Sequence, residues 1–267
     1  MPVIIDYIYQ KARKNRARVA LGIGSVTPGL LQSVEGLEEF AEVVLVGDRQ
    51  KIIKSGSGPE VIHSNNPSTT IIDLLSSGDV DAAVRGNLSA TSTLSYLKQV
   101  LGLRSIHRIS LLKTPDGIPF FLAPVGIDEG ATCEDKLDFI RLGAEHIRRF
   151  GIEPKIAVLS GGRFEDKGRS FAVDKTLDDA EYVAEEARKA GYDARHYGIL
   201  IEDAIGEADF ILAPDGISGN LIYRTLVLIG GGFGYGAPVL MEKVFVDTSR
   251  VVGDYSRALI MASALVR

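Results

Sequence analysis

Tryptophan is absent from the chain, cysteine occurs once and histidine four times. A single thiol, Cys133, rules out an intrachain disulfide and a thiolate metal cage, and it agrees with a reducing compartment. No base adjoins Cys133 in sequence, so it reads as a bystander rather than a nucleophile. His63, His107, His146 and His196 are scattered without ligand spacing and read as surface or packing residues, leaving no fixed metal site. Excess positive charge is missing too. A net charge of -5 and a pI near 5.5 leave no field to hold nucleic acid or an anionic membrane. The one basic cluster, Lys11 to Arg18 with Arg13, Lys14 and Arg16, reads as the solvated face of a first helix, an anion-binding patch being the alternative. No segment approaches the ~20 apolar residues of a spanning helix. The stretch from Leu221 to Phe233 is interrupted by Arg224 and glycines, and Asp6 precedes any apolar run that would serve as a signal peptide. The expectation is a soluble, cytoplasmic protein.

What is present is ordinary globular material: 267 residues, 45% hydrophobic and 24% charged, enough for one large or two smaller α/β domains. Short Val- and Ile-rich runs alternate with amphipathic stretches, the pattern of a parallel sheet with crossover helices. Strands are expected at Arg18 to Ile23, Val43 to Val46, Glu60 to His63 and Asp81 to Arg85. Helices are expected over Pro28 to Phe40, Gln50 to Lys54, Thr69 to Ser77 and Thr91 to Leu101. The rhythm then changes. His107 to Lys113 and Ile118 to Ala123 flank Pro115-Asp116-Gly117, where proline presets φ and glycine accepts positive φ, so an antiparallel hairpin is expected there. Alternation resumes with a helix over Glu134 to Phe150, a strand over Lys155 to Leu159 and a helix over Leu177 to Ala190 that stops at Gly191. A strand over Phe210 to Ala213 and a helix over Gly219 to Ile229 follow, and Gly230-Gly231-Gly232 reads as a crossover, hinge or simple loop. Val244 to Val246 is the last strand, and Asp254 to Leu265 the last helix. The expected organisation is a first α/β domain of residues 1–104 plus 233–267, with a second α/β domain, 105–232, inserted between.

Ligands of open α/β sheets bind beyond the carboxyl ends of the strands. The loop after the fourth strand runs Arg85-Gly86-Asn87-Leu88-Ser89-Ala90-Thr91-Ser92-Thr93 into a helix. Free amides at a helix start, the positive dipole end and nearby hydroxyls suit a phosphate; capping by Ser89 or Thr91 is the plainer alternative. The loop Pro214-Asp215-Gly216-Ile217-Ser218-Gly219-Asn220 offers the same choice. Asp247-Thr248-Ser249-Arg250 directly follows the last strand, where an aspartate beside an arginine is either a general base with an anion-binding neighbour or a structural ion pair.

These loops, in this order, resemble the phosphate acetyltransferase and butyryltransferase superfamily. Val80 to Leu101 looks like the segment those enzymes use to approach phosphate, and Ser218-Gly219-Asn220-Leu221-Ile222-Tyr223-Arg224 resembles their Thr/Ser-Gly-Asn motif. Val244 to Arg250 resembles their Pro-Val-Asn-Asp-Leu-Ser-Arg segment, which places Asp247 on the proposed catalytic base. In length and in its opening Leu21-Gly22-Ile23-Gly24 the chain looks most like the methanogen family MtxX, or methanogenesis marker protein 4, labelled a methyltransferase from its association with methyl-transfer systems. The resemblance implies a two-domain α/β fold with parallel or mixed sheets and flanking helices, of the phosphate acetyltransferase and isocitrate/isopropylmalate dehydrogenase type, and a homodimer. It also implies an interdomain cleft binding a phosphate-bearing small molecule, phosphate or CoA, through Arg85, Gly86, Ser89, Thr91, Asp215, Ser218, Gly219, Asn220 and Arg250. The chain departs from the pattern at Met241-Glu242-Lys243 before Asp247, at Val246 in place of asparagine, and at Arg85.

Three functions follow. Acyl transfer between phosphate and a thiol such as CoA would use Asp247 to take the thiol proton. Methyl transfer would use Gly22-Ile23-Gly24 and Asp48 as a loose nucleotide-binding pattern. A non-catalytic sensor would keep the phosphate pocket without turnover.

Overall fold

The computed structural model describes residues 2–53 and 58–267. It divides into two compact units, Val3–Ile106 with Tyr235–Arg267, here the terminal unit, and His107–Gly234, the inserted unit.

The terminal unit begins with α1 (Pro2–Asn15), β1 (Arg18–Gly22), α2 (Pro28–Gln32), β2 (Glu42–Gly47), α3 (Arg49–Ile53), β3 (Glu60–His63), α4 (Pro67–Ser77), β4 (Ala82–Val84) and α5 (Ala90–Val100). The inserted unit follows with β5 (Ser110–Lys113), β6 (Pro119–Ala123), α6 (Cys133–Arg148), β7 (Lys155–Val158), α7 (Phe171–Lys189), β8 (Asp193–His196), α8 (Ile201–Glu207), β9 (Phe210–Leu212), α9 (Gly216–Arg224) and β10 (Phe233–Gly234). The chain then returns through β11 (Ala237–Pro238), β12 (Val244–Asp247) and α10 (Ser256–Leu265).

The sheet of the terminal unit runs β11-β12-β4-β1-β2-β3. It is parallel except for β11, which pairs antiparallel to β12. Its inner strands β1, β2 and β4 are apolar and buried beyond their first residues because helices cover both faces, whereas the edge strand β3 is partly exposed. One face packs Ala20, Ala83 and Phe245 against Ile71, Ile72 and Leu75 of α4 and Leu97 of α5. Phe245 is fully buried, a contribution of roughly 1.5–3 kcal/mol. The last helix, α10, is buried from Ala258 to Leu265 without interruption, which is why its sequence is apolar all round. Its one buried hydroxyl, Ser263, donates to Phe40 O at 2.7 Å and accepts from Ala17 N at 3.1 Å.

The sheet of the inserted unit runs β10-β5-β6-β9-β7-β8. β10, β5 and β6 are antiparallel, and β6, β9, β7 and β8 are parallel. Phe121 and Phe210 pack beneath α6, beside His146 and Gly143, and Phe120, next along β6, is buried on the opposite face. α6 carries glycine at 143 because a Cβ there would stand 2.7 Å from the Phe210 ring, so close packing outweighs the loss in helix propensity.

The fold differs from the expected elements in places with clear causes. The helix expected over Pro28 to Phe40 stops at Gln32: Ser33 Oγ turns back to Leu30 O at 2.7 Å, and Gly36 takes φ +72°. Lys54, expected to end α3, lies outside the described residues. α7 starts at Phe171, earlier than expected, because Ser170 accepts Val173 N–H as its cap. β10 forms from the glycine-rich stretch by pairing with β5. The basic cluster near α1 lies in a network of exposed contacts: Arg13 meets Glu39 at 3.0 Å, Arg16 donates to Glu38 O, and Arg18 pairs with Glu42 and Glu60.

Candidate functional site

In the terminal unit, β12, β4 and β1 are neighbours, and the chain leaves β4 and β1 in opposite directions. A crevice at the carboxyl ends is expected at such a switch point. The three turns that follow these strands interlock there. Arg85 donates from Nε to Asp247 Oδ1, from Nη1 to Leu88 O and from Nη2 to Thr248 O. The Arg85 and Asp247 side chains are only 4% and 9% exposed, so the ion pair is desolvated and holds the β4 turn against the β12 turn. Asp247 Oδ1 also accepts Thr248 N–H at 2.9 Å, and Thr248 Oγ1 donates to Gly86 O at 2.8 Å.

Glycine makes this contact possible. Gly86 sits at φ +63°, and a Cβ on it would lie 2.0 Å from Gly22 O. Asn87 completes the junction: its Oδ1 accepts Gly24 N–H at 2.7 Å and Ser25 N–H at 3.2 Å, and its Nδ2 donates to Ser25 O at 2.6 Å. The space beside Gly22 is filled by Leu88, whose Cδ1 would be 2.2 Å from an added Cβ.

Beyond this junction α5 begins. Ser89 is its N-cap, accepting Ser92 N–H through a long 3.5 Å contact. The Ala90 and Thr91 amides belong to the first turn and have no acceptor within the helix. Thr91 is exposed. Arg250, in the turn after β12, is exposed, and no ion pair of its guanidinium is found among the described residues.

The inserted unit builds a second cluster at the ends of β6 and β9. Arg108 donates from Nε to Glu129 Oε1 at 2.5 Å, and Glu129 Oε2 accepts the amides of Gly126 at 3.1 Å and Arg108 at 3.3 Å. Burial pushes the Glu129 carboxyl above its ordinary range, opposed by Arg108. The turn so fixed packs on the start of α9: a Cβ on Gly216 would meet Gly126 O at 1.6 Å, and one on Gly219 would meet Pro124 O at 1.8 Å. Asn220 Nδ2 donates to Val125 O at 2.8 Å. At the helix start, Asp215 accepts Ser218 N–H at 2.7 Å, and Gly216 N–H goes to Glu129 O at 2.9 Å. The first turn of α9 therefore has a carboxylate cap and few free amides, whereas α5 has a neutral cap.

The expected site residues thus take distinct places. Arg85, Gly86 and Asp247 form the buried junction, Ser89 and Asp215 are caps, and Gly219 and Asn220 tie α9 to the turn after β6. Among the described residues, no hydrogen bond or ion pair is found to the side chains of Thr91, Ser218 or Arg250. Asn87, Arg108 and Glu129 were not singled out from sequence. Asn87 acts on a segment 62 residues away and Arg108 meets Glu129 across 21, so local spacing does not mark those contacts, although Glu129 also accepts Gly126 N–H three residues back.

A family model described as phosphate acetyl/butaryl transferase matches residues 3–194. The chain belongs to this family. It is 54% identical, over 99% of its own length and 96% of the relative's, to a Methanosarcina mazei protein named "Putative methyltransferase mtx subunit X". It is 25% identical to a phosphate butyryltransferase of Clostridium acetobutylicum, over 89% of this chain and 91% of the relative. A phosphotransacetylase structure from Streptococcus pyogenes superposes with a TM-score of 0.72 at 17% identity, covering 98% of each chain. The fold is that of the phosphotransacylases, and within the family the chain groups with the mtx subunit X proteins of methanogens. No helix among the described residues is long and apolar enough to cross a membrane, and no group of side chains among them suits a metal ion.

Proposed function

We propose that the chain is a phosphate acyltransferase-like transferase whose terminal unit binds a phosphate, or the phosphate of a CoA-like molecule, at the start of α5. The observation that carries this reading is the neutral Ser89 cap, whose first-turn amides of Ala90 and Thr91 have no acceptor within the helix, on a turn fixed from behind by Arg85 and Asp247. Fixed donors of this kind stabilise a leaving phosphate without reorganising during reaction. Arg250 supplies the cation. The Asp215 carboxylate already counters the positive end of α9, so that helix start is the poorer place for a phosphate.

In acyl transfer a thiolate attacks the acyl carbon, phosphate leaves, and the thiol proton goes to a base. For Asp247 to be that base it must release Arg85. We assign it instead to positioning the β4 and β12 turns. Purified chain is expected to form acyl-CoA from butyryl or acetyl phosphate and CoA. Asp247→Asn, which keeps the acceptor Oδ1 but loses the charge, separates the roles: a positioning aspartate leaves a measurable rate in whatever fraction stays folded, whereas a base leaves none.

The names of the mtx subunit X relatives support a second reading, methyl transfer or association with a methyltransferase. Leu88 against Gly22 leaves little room for a nucleotide at that loop. Calorimetry with S-adenosylmethionine decides: saturable heat would favour methyl transfer. Phosphate or CoA binding without turnover would point to a sensor. A homodimer in the cytoplasm fits each of these readings, and equilibrium sedimentation checks the dimer.

A further inference from the structure

The inserted unit holds one more hydrogen-bonded group of titratable side chains. Its members come from three elements: Ser160 just beyond β7, His196 at the end of β8, and Glu181 in the middle of α7. His196 Nε2 lies 3.0 Å from Ser160 Oγ, and its Nδ1 lies 3.2 Å from Glu181 Oε2. Ser160 Oγ is also 3.1 Å from Gly162 O, in donor geometry. The ring edge of Phe164 closes over the imidazole at a centroid distance of 4.8 Å.

Serine, imidazole and carboxylate in that order are the parts of an acyl-transfer nucleophile. Here they do not present one. Ser160 is 1% exposed, and the adjacent Gly161 N–H, a natural oxyanion donor, is given to Thr176 Oγ1 at 2.9 Å. What the group controls is the turn Ser160-Gly161-Gly162. That turn follows β7, whose neighbour β9 leads into the Asp215–Asn220 turn, and Leu159 N–H to Leu212 O at 2.8 Å keeps the two strand ends in step.

Counting protons shows how. A neutral imidazole carries one N–H, and an ionised carboxylate only accepts. With a neutral ring the N–H must sit on Nδ1 to reach Glu181. Nε2 then takes the Ser160 hydroxyl proton, and Gly162 O is left without its donor. With a protonated ring both nitrogens donate, to Glu181 and to Ser160 Oγ, and the hydroxyl is released to Gly162 O. All three contacts coexist only on the imidazolium.

We propose that His196 is a proton-controlled latch: protonation of its ring completes the hydrogen bond that closes the Ser160–Gly162 turn at the carboxyl edge of the inserted unit's sheet. Burial lowers the His196 pKa below 6.5, opposed by Glu181, so the latch completes on acidification below that value. The charged groups around the ring are Glu181 on α7 and, behind it, Arg188, whose Nη2 is 3.3 Å from Glu181 Oε1. Among the described residues, those of β7 and the segment after it that contact the ring are Ser160 and Phe164. Arg195 and Tyr197, adjacent along the chain, project to the opposite face of the strand.

The test follows the full chain by NMR. The His196 ring nitrogens are expected to report an Nδ1–H tautomer at neutral pH and a titration midpoint below 6.5. The midpoint should move in Ser160→Ala and in Glu181→Gln. As pH falls through that midpoint, exchange protection at Gly161 and Gly162, corrected for intrinsic rates, should rise about fivefold, the effect of one added hydrogen bond on a local opening. His196→Gln, which bonds without titrating, should show no such step. A ring that titrates like an open imidazole, protection that stays flat in the native chain, or a step that persists in His196→Gln each overturn the latch. Failure of the chain to bind inorganic phosphate would remove the functional reading above and leave these outcomes unaffected.

Discussion

In the terminal unit the turn after β4 is fixed by Arg85 against Asp247, and among the described residues the guanidinium meets no second carboxylate: its other bonds go to the carbonyls of Leu88 and Thr248. In the inserted unit the turn after β6 is fixed by Arg108 against Glu129, but Arg108 also reaches the exposed Asp128 at 3.4 Å. Both units use a buried cation–carboxylate pair to hold a turn at the carboxyl edge of a sheet. Arg108 has Asp128 as a second carboxylate in reserve. The helix starts differ in the same sense, since Ser89 leaves the positive end of α5 open to an external anion and Asp215 fills that of α9. Similar architecture therefore yields one edge with a neutral helix cap and one whose helix start is capped by a carboxylate.

The largest expected effect breaks the two ion pairs. Asp247→Asn leaves Arg85 buried and uncompensated and should cost about 3–5 kcal/mol of unfolding free energy. Glu129→Gln should cost clearly less, because Asp128 remains for Arg108 and burial already disfavours the Glu129 charge. Chemical denaturation of both variants checks this, and equal losses would erase the contrast.

Next in size is an acid effect confined to the inserted unit. His146 is fully buried with its Nε2 unpartnered, and burial pushes its pKa down to about 3. The unfolded ring takes up a proton below 6.5 while the folded ring does so only near 3, so stability is intact above that window and falls as pH drops through it. The loss at pH 5 should be about 2 kcal/mol. His146→Phe, set between the rings of Phe121 and Phe150, should flatten that part of the stability profile.

Smaller still is capping. Asp215→Ala should cost about 1 kcal/mol, and Ser89→Ala less, because its contact is 3.5 Å long against 2.7 Å at Asp215. The smallest expected effect on stability is that of Arg250→Ala, close to zero for an exposed, unengaged side chain, yet it should weaken phosphate binding several-fold as a lost charge-assisted contact. Melting curves with and without phosphate separate the two.

Much of the fold was legible because its signals are local. Val43 to Val46 and Asp81 to Arg85 read as buried strands, and Pro115-Asp116-Gly117 as the hairpin between β5 and β6, from composition alone. β8 was missed because Asp193–His196 buries only Ala194 fully, and α8 because only Ala204 of its seven residues is buried. Neither carries the apolar run that marks an element. The candidate site was legible in its turns and caps, which are also local. Its buried junction was not: Arg85 and Asp247 are 162 residues apart, and sequence spacing pointed instead to Arg250 as the partner of Asp247.

The central claim, that the start of α5 holds a phosphate, is tested most directly by titrating the isotope-labelled full chain with inorganic phosphate and following its backbone amides. Saturable shifts at Ala90 and Thr91 are expected, larger than those at Ile217 and Ser218, and reduced in Arg250→Ala. Shifts that do not saturate, or that centre on the start of α9 while α5 stays silent, would contradict the account.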